Sequence, residues 1–163
     1  TYNIKVLVDV NWRPMFWTDP EAAQPLIKKL WQSVDFVKLS REEAEWLFDT
    51  KESGAIAHQL GSVEGVFVTD GEGTISYHLN DFEGKLSAFD VSVEDTTGAG
   101  DSFVAGLVHK LCQGGLNHLN DPETVREIVT YACAVGALTT TKSGAISAQP
   151  TAKEVEEFLS EIH

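Results

Sequence analysis

Cysteine is scarce in this 163-residue sequence, which contains only Cys112 and Cys133. Neither residue belongs to a Cys-x-x-Cys pair, and the histidines show no paired spacing. The pattern therefore argues against a disulfide and against a zinc site. Both cysteines lie inside apolar helical patterns, so we expect them to be reduced thiols in the core.

Positive charge is also scarce, because 12 Lys and Arg residues stand against 25 Asp and Glu residues and give a net charge of -13. Such an acidic chain is repelled by nucleic acid and by anionic membranes, so we expect neither as a partner. No signal peptide, membrane-spanning run or internal repeat is visible. We expect a cytoplasmic protein, or a plastid protein if a transit peptide lies outside this chain. The length suits a single domain, residues 1–163.

The most informative stretch is residues 95–103, which reads Asp-Thr-Thr-Gly-Ala-Gly-Asp-Ser-Phe and contains two of the 13 glycines. An apolar stripe at helical spacing follows it, so Gly98 and Gly100 are predicted to stand at a helix N-terminus. Unpaired amides and the helix dipole suit that position to an anion such as a phosphate. Asp101 would then take a proton from an attacking hydroxyl. The alternative is a tight strand-to-helix turn in which Asp101 only complements the dipole.

The whole stretch, continued by Val-Ala-Gly, closely resembles the C-terminal signature of the ribokinase/pfkB family of carbohydrate kinases. The resemblance implies ATP-dependent phosphoryl transfer to a primary hydroxyl of a sugar, most like fructokinase with fructose as acceptor. It also implies Asp101 as general base, the amides of Gly98, Ala99 and Gly100 as an anion hole, and Mg2+ bridging the phosphates.

A β-branched run at residues 4–10 predicts a buried strand, and the chain reads as a strand from residue 1. Polar residues follow it in the order Asp-x-Asn-x-Arg-Pro, where open α/β sheets bind ligands. A solvated loop is the alternative. The order resembles a segment of fructokinases and 2-keto-3-deoxygluconate kinases, and this implies that Asn11 and Arg13 face the nucleotide phosphates.

A second strand is predicted at residues 34–39, followed by a helix that starts with Ser40 and Glu43. These two residues fit a capping box, in which each side chain satisfies the other's backbone amide. The family commonly has Asn-x-x-Glu here, and the resemblance implies that Glu43 lies near the magnesium. Ser40 departs from that pattern.

A third strand, residues 65–69, runs into a turn that contains Gly71 and Gly73. Two further strands are predicted at 74–79 and 85–93. The glycines are either simple turn formers or, by resemblance to a Thr-x-Gly-x-x-Gly element, line the nucleotide site together with Thr69. The spacing here is one residue short of that element.

Two helices are predicted in the last third, one after Asp121 and one after a capping box of Thr151 and Glu154. Small residues make the first of these helices thin, which favours close packing against a neighbouring helix or strand, or against the flat ring of a nucleobase. By resemblance, Cys133 stands where relatives carry an Asn near the adenosine, and Gly144 belongs to a second nucleotide loop. The same resemblance implies a monovalent cation such as K+ near Asp95 and Thr97.

The alternation of strands and helices predicts a three-layer α/β/α sandwich with a mainly parallel sheet. The resemblance covers the whole chain but only the C-terminal, nucleotide-binding and catalytic half of a family member. It implies that the N-terminal sugar-binding Gly-Gly segment and β lid are missing, and that a homodimer or an N-terminal half is the partner besides sugar and ATP. The alternative function is a truncated, inactive nucleotide-binding or interaction module.

Overall fold

The computed structural model describes residues 4–71 and 73–162, apart from the side chain of Asn117. These residues form two compact units. The first runs up to Asp70 and includes Thr74–Lys85, whereas the second takes Gly71–Gly73 and the described chain from Leu86 onward.

The strands form a five-stranded sheet in the described residues, with the order β1-β2-β3-β4-β5. The first three strands are parallel, and β4 runs antiparallel to β3. This confirms the predicted α/β class, with a parallel part followed by a hairpin. The strands are β1 Leu7–Asp9, β2 Phe36–Ser40, β3 Gly65–Thr69, β4 Thr74–Leu79 and β5 Phe82–Ser87.

The parallel strands β2 and β3 form the centre of the first unit because almost every residue in them is buried. Three helices accompany them: α1 Ala23–Leu30, α2 Arg41–Phe48 and α3 Ser53–Leu60. Apolar side chains of β2, β3, α2 and α3 form one core cluster. The first strand is shorter than predicted, since it begins at Leu7, and residues 1–3 of that prediction lie outside the described residues.

The predicted bounds of the last strand, residues 85–93, are wrong, although a strand overlaps their first three residues. The fifth strand instead covers Phe82–Ser87 and pairs with β4, and residues 88–93 are not in a strand. The connection is only two residues long because Asn80 adopts a positive φ of 55°, a conformation that Asn tolerates better than most residues. The sequence pattern placed the return strand too late because it assigned this tight turn to a longer loop.

The second unit contains three helices, α4 Ala99–Gly114, α5 Pro122–Thr139 and α6 Ala152–Ile162. The predicted starts of α5 and α6 are confirmed. The Asp121 carboxylate accepts from the Thr124 amide at 2.9 Å, and Thr151 and Glu154 exchange the two bonds of a capping box. Proline at the first position of α5 has no amide to leave unpaired.

Helices α4 and α5 pack closely through small residues, as predicted for a thin helix. A Cβ added to Gly106 would lie 2.9 Å from Val135 Cγ2 and 3.1 Å from the Cα of Ala132. A Cβ added to Gly136 would lie 3.1 Å from the carbonyl oxygen of Ala99. Glycine at both positions therefore lets the two backbones approach, and α5 contacts the first residue of α4.

Several apolar residues of the helices are exposed, and for Cys112 this contradicts the prediction. Cys112 is exposed rather than in the core, because it lies one residue past the buried Leu111 and about 100° around the helix. In α1, Ile27 and the following Trp31 pack on the core, whereas Leu26 and Leu30 are about half exposed. Ile162 is also half exposed. Within the described residues, no helix has both the length and the apolar character needed to cross a membrane.

Candidate functional site

The glycine turn of the second unit has the predicted position at a helix N-terminus. Gly98 is the N-cap residue of α4 and has a left-handed φ of 80°. A Cβ at this position would lie 2.7 Å from the Cβ of Ala145. Any side chain here would therefore combine unfavourable backbone angles with a steric overlap, which explains why the turn requires glycine.

Only some of the backbone amides of this turn donate a hydrogen bond within the protein. The Ala99 amide donates to the Thr96 carbonyl at 3.2 Å, whereas in the described structure the amides of Gly98 and Gly100 have no hydrogen-bond partner. No side chain caps α4, so these donors stay available at the positive end of the helix. The exposed carboxylate of Asp101 stands in the first turn beside them.

Asp95 connects the glycine turn to the loop that contains Gly144. One of its carboxylate oxygens accepts from the Thr97 amide at 2.9 Å, and the other accepts from the Gly144 amide at 3.0 Å. Hydrogen bonds from Thr97 and from the Gly144 amide lower the pKa of Asp95 to about 2. Each oxygen keeps a second lone pair beside its amide bond, so the two bonds do not by themselves prevent Asp95 from contacting a cation.

Cys133 lies on α5, one turn before the Gly136 that packs on the start of α4. Burial raises the pKa of its thiol to about 12, so the side chain stays neutral and unreactive. A neutral thiol is apolar and cannot supply the hydrogen bonds that an asparagine side chain would provide.

The first unit holds Asn11, Arg13 and Glu43. Asn11 and Arg13 are exposed on the segment that follows β1, and Asn11 has a positive φ of 45°. Glu43 is buried at the start of α2, where the predicted capping box with Ser40 is confirmed. Its second carboxylate oxygen accepts from the amide of Trp12, so Glu43 also touches the segment between the other two residues.

Thr69 ends β3 and is paired in register with Ser40 of β2, which places it beside the start of α2. Its hydroxyl donates to the Leu39 carbonyl at 3.3 Å. Gly71 and Gly73 belong to the second unit, where Gly71 has a φ of 46° and the Gly73 carbonyl accepts from the Ala88 amide at 2.8 Å. Gly71 therefore has the backbone conformation of a turn residue, which is compatible with either prediction for these glycines.

The structure brings the predicted residues together in two groups, one in each unit. Asn11, Arg13 and Glu43 share one group, and 95–101 shares the other with Gly144. Sequence reasoning missed the Lys38–Asp9 pair of the first group, at 3.2 Å between Nζ and Oδ2, and the contact of Ala145 with Gly98. A lysine inside the apolar run of β2 was the available signal for the first of these.

No group of three or more His, Cys, Asp or Glu side chains that could hold a metal ion occurs among residues 4–71 and 73–162. With so few carboxylates close together among the described residues, Mg2+ would take most of its ligands from water and from phosphates. That is the usual way in which Mg2+ binds in phosphoryl-transfer sites, so the residues present fit such an ion.

Comparison with known proteins identifies the family. Residues 2–152 match the model of the pfkB family carbohydrate kinases. The chain belongs to the pfkB family of carbohydrate kinases. The predicted resemblance is therefore confirmed along almost the whole chain.

Similar members of the pfkB family are fructokinases. The chain is 38% identical over 154 residues to fructokinase-2 of Solanum lycopersicum, covering 93% of this chain and 47% of that protein. A structure of fructokinase from Xylella fastidiosa with bound ATP superposes with a TM-score of 0.87 at 32% identity, over 97% of this chain and 52% of that one. A fructokinase double mutant from Vibrio cholerae with fructose, ADP and potassium gives a TM-score of 0.82 at 29% identity, over 95% and 50%. The chain thus spans about half the length of these pfkB proteins.

Proposed function

We propose that this chain is the nucleotide-binding and catalytic half of an ATP-dependent sugar kinase of the fructokinase type. The observation that carries the proposal is the uncapped glycine turn of α4 with Asp101 exposed in the first turn. The similarity to fructokinases whose structures hold ATP, or fructose with ADP and potassium, supports it. Fructose is the favoured acceptor on that similarity.

Asp101 is the general base in this proposal. Its carboxylate takes the proton of the sugar's primary hydroxyl as that oxygen forms a bond to the terminal phosphorus of ATP and the bond to the leaving ADP oxygen breaks. The amides of Gly98 and Gly100 stabilise the negative charge on the transferred group. The Ala99 amide joins them only if its bond to the Thr96 carbonyl opens.

The remaining predicted site residues bind the nucleotide and its ions. Asn11 and Arg13 contact phosphates, Glu43 helps to order Mg2+, and Asp95 and Thr97 border a site for K+. Mg2+, when bound, offsets the negative charge of the phosphates. The nucleotide is further lined by Thr69, Gly71, Gly73, Cys133 and Gly144.

A second candidate function is a nucleotide-binding or interaction module without activity of its own. The observation that favours it is the coverage, since the chain spans about half the length of the fructokinases it matches. In this case the glycine turn still binds a nucleotide, but no acceptor sugar is held against Asp101. A homodimer, and location in the cytoplasm or a plastid, are further predictions under either function.

Calorimetry and a coupled assay test the two functions together. Binding of ATP with Mg2+ is measured on the 163-residue chain, and ADP release is followed with fructose, ribose, adenosine and 2-keto-3-deoxygluconate. Each assay is repeated after addition of the N-terminal half of a full-length fructokinase. Fructose-dependent turnover in either form supports the kinase, whereas binding without turnover in both supports the module. Absence of ATP binding contradicts the kinase and the nucleotide-binding module, and favours an interaction role.

A further inference from the structure

The segment 10–13, which carries Asn11 and Arg13, is held in one shape by contacts with its neighbours. Asn11 has a positive φ of 45°, which is uncommon for a non-glycine residue, although Asn adopts it more readily than most others. The segment has no regular secondary structure of its own. The contacts that restrain it come from neighbouring elements, and side chains of β2 and α2 are among them.

Glu43 provides the first restraint. Its side chain is only 6% exposed, and it reaches two backbone amides that belong to different segments. One carboxylate oxygen accepts from the Ser40 amide at 2.7 Å, and the other accepts from the Trp12 amide. A buried carboxylate with an amide on each oxygen is well satisfied, and its two bonds tie the segment to the start of α2.

Lys38 provides the second restraint, at the point where the segment leaves β1. It is only 6% exposed, and its ammonium group lies 3.2 Å from the carboxylate of Asp9, the last residue of that strand. Its carbonyl also accepts from the Val10 amide at 3.3 Å. Burying a charge pair carries a desolvation penalty, so the pair contributes little to the free energy of unfolding. Its role is therefore geometric.

The indole ring of Trp12 adds an apolar contact and a spectroscopic signal. It stacks on Trp46 of α2 with ring centroids 4.8 Å apart and an interplanar angle of 19°. A tilted contact with Trp17, at 5.3 Å, lies next to it. If the Trp12 amide lost its acceptor, both the amide and this ring contact would report the change.

We propose that Glu43 and Lys38 are positioning residues that fix the segment 10–13, and thereby set the direction in which Asn11 and Arg13 meet a nucleotide phosphate. Glu43 acts through the amide of Trp12, and Lys38 acts through the carboxylate of Asp9. The inference rests on the proposed function only in its last step, the contact with phosphate.

Hydrogen exchange at the Trp12 amide tests the restraint without any nucleotide. Glu43→Ala in the 163-residue chain removes the acceptor, and we expect exchange at Trp12 to become at least about 10-fold faster, with a changed near-UV circular dichroism. Glu42→Ala is the matched control, since Glu42 is exposed in the same turn of α2. Ser40→Ala removes a cap bond but leaves the Trp12 bond, so it should leave Trp12 exchange unchanged. An effect of Ser40→Ala as large as that of Glu43→Ala would overturn the proposal.

The Lys38–Asp9 pair is tested by removing one charge and then both. Urea unfolding checks that each variant is folded. We expect Lys38→Met to speed exchange at Trp12 several-fold, because it leaves the Asp9 carboxylate unpaired. Adding Asp9→Asn should bring exchange back toward the original rate. The exposed Lys28→Met serves as control. Unaltered exchange in Lys38→Met would remove Lys38 from the proposal.

Calorimetry with ATP and Mg2+ separates this inference from the proposed function. We expect Glu43→Ala to weaken ATP binding by about 10-fold or more both with and without Mg2+, since misplacement of binding groups by about 1 Å is costly. A loss seen only with Mg2+ would mean that Glu43 acts on the metal ion and would refute the positioning role. Faster exchange at Trp12 with unchanged ATP affinity would refute the claim that the shape of the segment 10–13 sets how Asn11 and Arg13 contact a nucleotide phosphate. If the unaltered chain fails to bind ATP, the proposed function fails, while the exchange rates still decide whether Glu43 holds the segment.

Discussion

Helices α2 and α4 begin in opposite ways, although residues of both are predicted to serve one reaction. At the start of α2, Ser40 and Glu43 form a complete capping box, so the first amides are satisfied by the protein itself. At the start of α4, Gly98 supplies no side chain, and the Gly100 amide has no partner in the described part of the chain. The difference separates a helix start that builds the fold from one that is available to a ligand.

The uncapped start of α4 is not a weakness of a poorly fixed helix. Helices α5 and α6 are capped by Asp121 and by Thr151 with Glu154, and at α3 the Ser76 hydroxyl accepts the Ser53 amide. Gly98 itself is held against Ala145. The buried hydroxyl of Ser102 also lacks a hydrogen-bond partner among the described residues. Unpaired donors on a rigid support are what an anion-binding site requires.

The largest expected effect is on catalysis. Asp101→Ala should lower turnover by at least about 100-fold, the usual scale for loss of a general base. The rate is measured in whichever form of the protein shows sugar-dependent ADP release. Glu123→Ala is the matched control, because Glu123 is an exposed acid in the first turn of α5. An equal loss in both variants would contradict the assignment of Asp101 as general base.

The two ends of α4 provide the next test. Gly98 and Gly115 both have positive φ, but a Cβ would meet Ala145 at the first and nothing within 4 Å at the second. Gly115→Ala should cost about 2 kcal/mol of unfolding free energy for the backbone conformation alone, because φ 69° with ψ 165° is a region that is essentially restricted to glycine. Gly98→Ala should cost about 3 kcal/mol, because overpacking is added. Urea unfolding measures both, and equal losses would contradict a steric role for Ala145.

A smaller effect is expected at the capped helix. Ser40→Ala removes the hydroxyl that accepts from the Glu43 amide at 3.2 Å and should cost about 1 kcal/mol of unfolding free energy. Ser62→Ala, an exposed substitution outside the helices, should leave stability unchanged. A Ser40→Ala chain as stable as the original would show that Glu43 alone maintains this helix start.

The smallest effect concerns pH. The amide and hydroxyl of Thr151, with Lys142 nearby, lower the pKa of Glu154 from 4.5 to about 2. Because the folded pKa is below the unfolded one, this cap stabilises the fold above about pH 4.5, and its contribution is lost as the pH falls toward 2. Glu154→Gln should therefore make the loss of stability between these pH values shallower. The exposed Glu161→Gln on the same helix is the control, and identical pH profiles for the two variants would contradict the cap assignment.

The sequence alone determined the features that depend on neighbouring residues. The capping pairs, the starts of α5 and α6, and the glycine turn before α4 were predicted because each rests on contacts within about four residues. The same local pattern failed where a turn was tighter than expected, and β5 therefore begins at Phe82. Local spacing also placed Cys112 in the core, although it lies on the exposed side of α4.

Only the tertiary structure decided how the site residues are held. The bonds of Glu43 to Trp12, of Lys38 to Asp9 and of Asp95 to Gly144 join residues 31, 29 and 49 positions apart. Such contacts depend on which strands pair in which register, for example Asp9 opposite Lys38. A single sequence shows which polar residues are present but not which of them come into contact. The free energy that brings them together comes from burial of the surrounding apolar core rather than from the polar residues themselves.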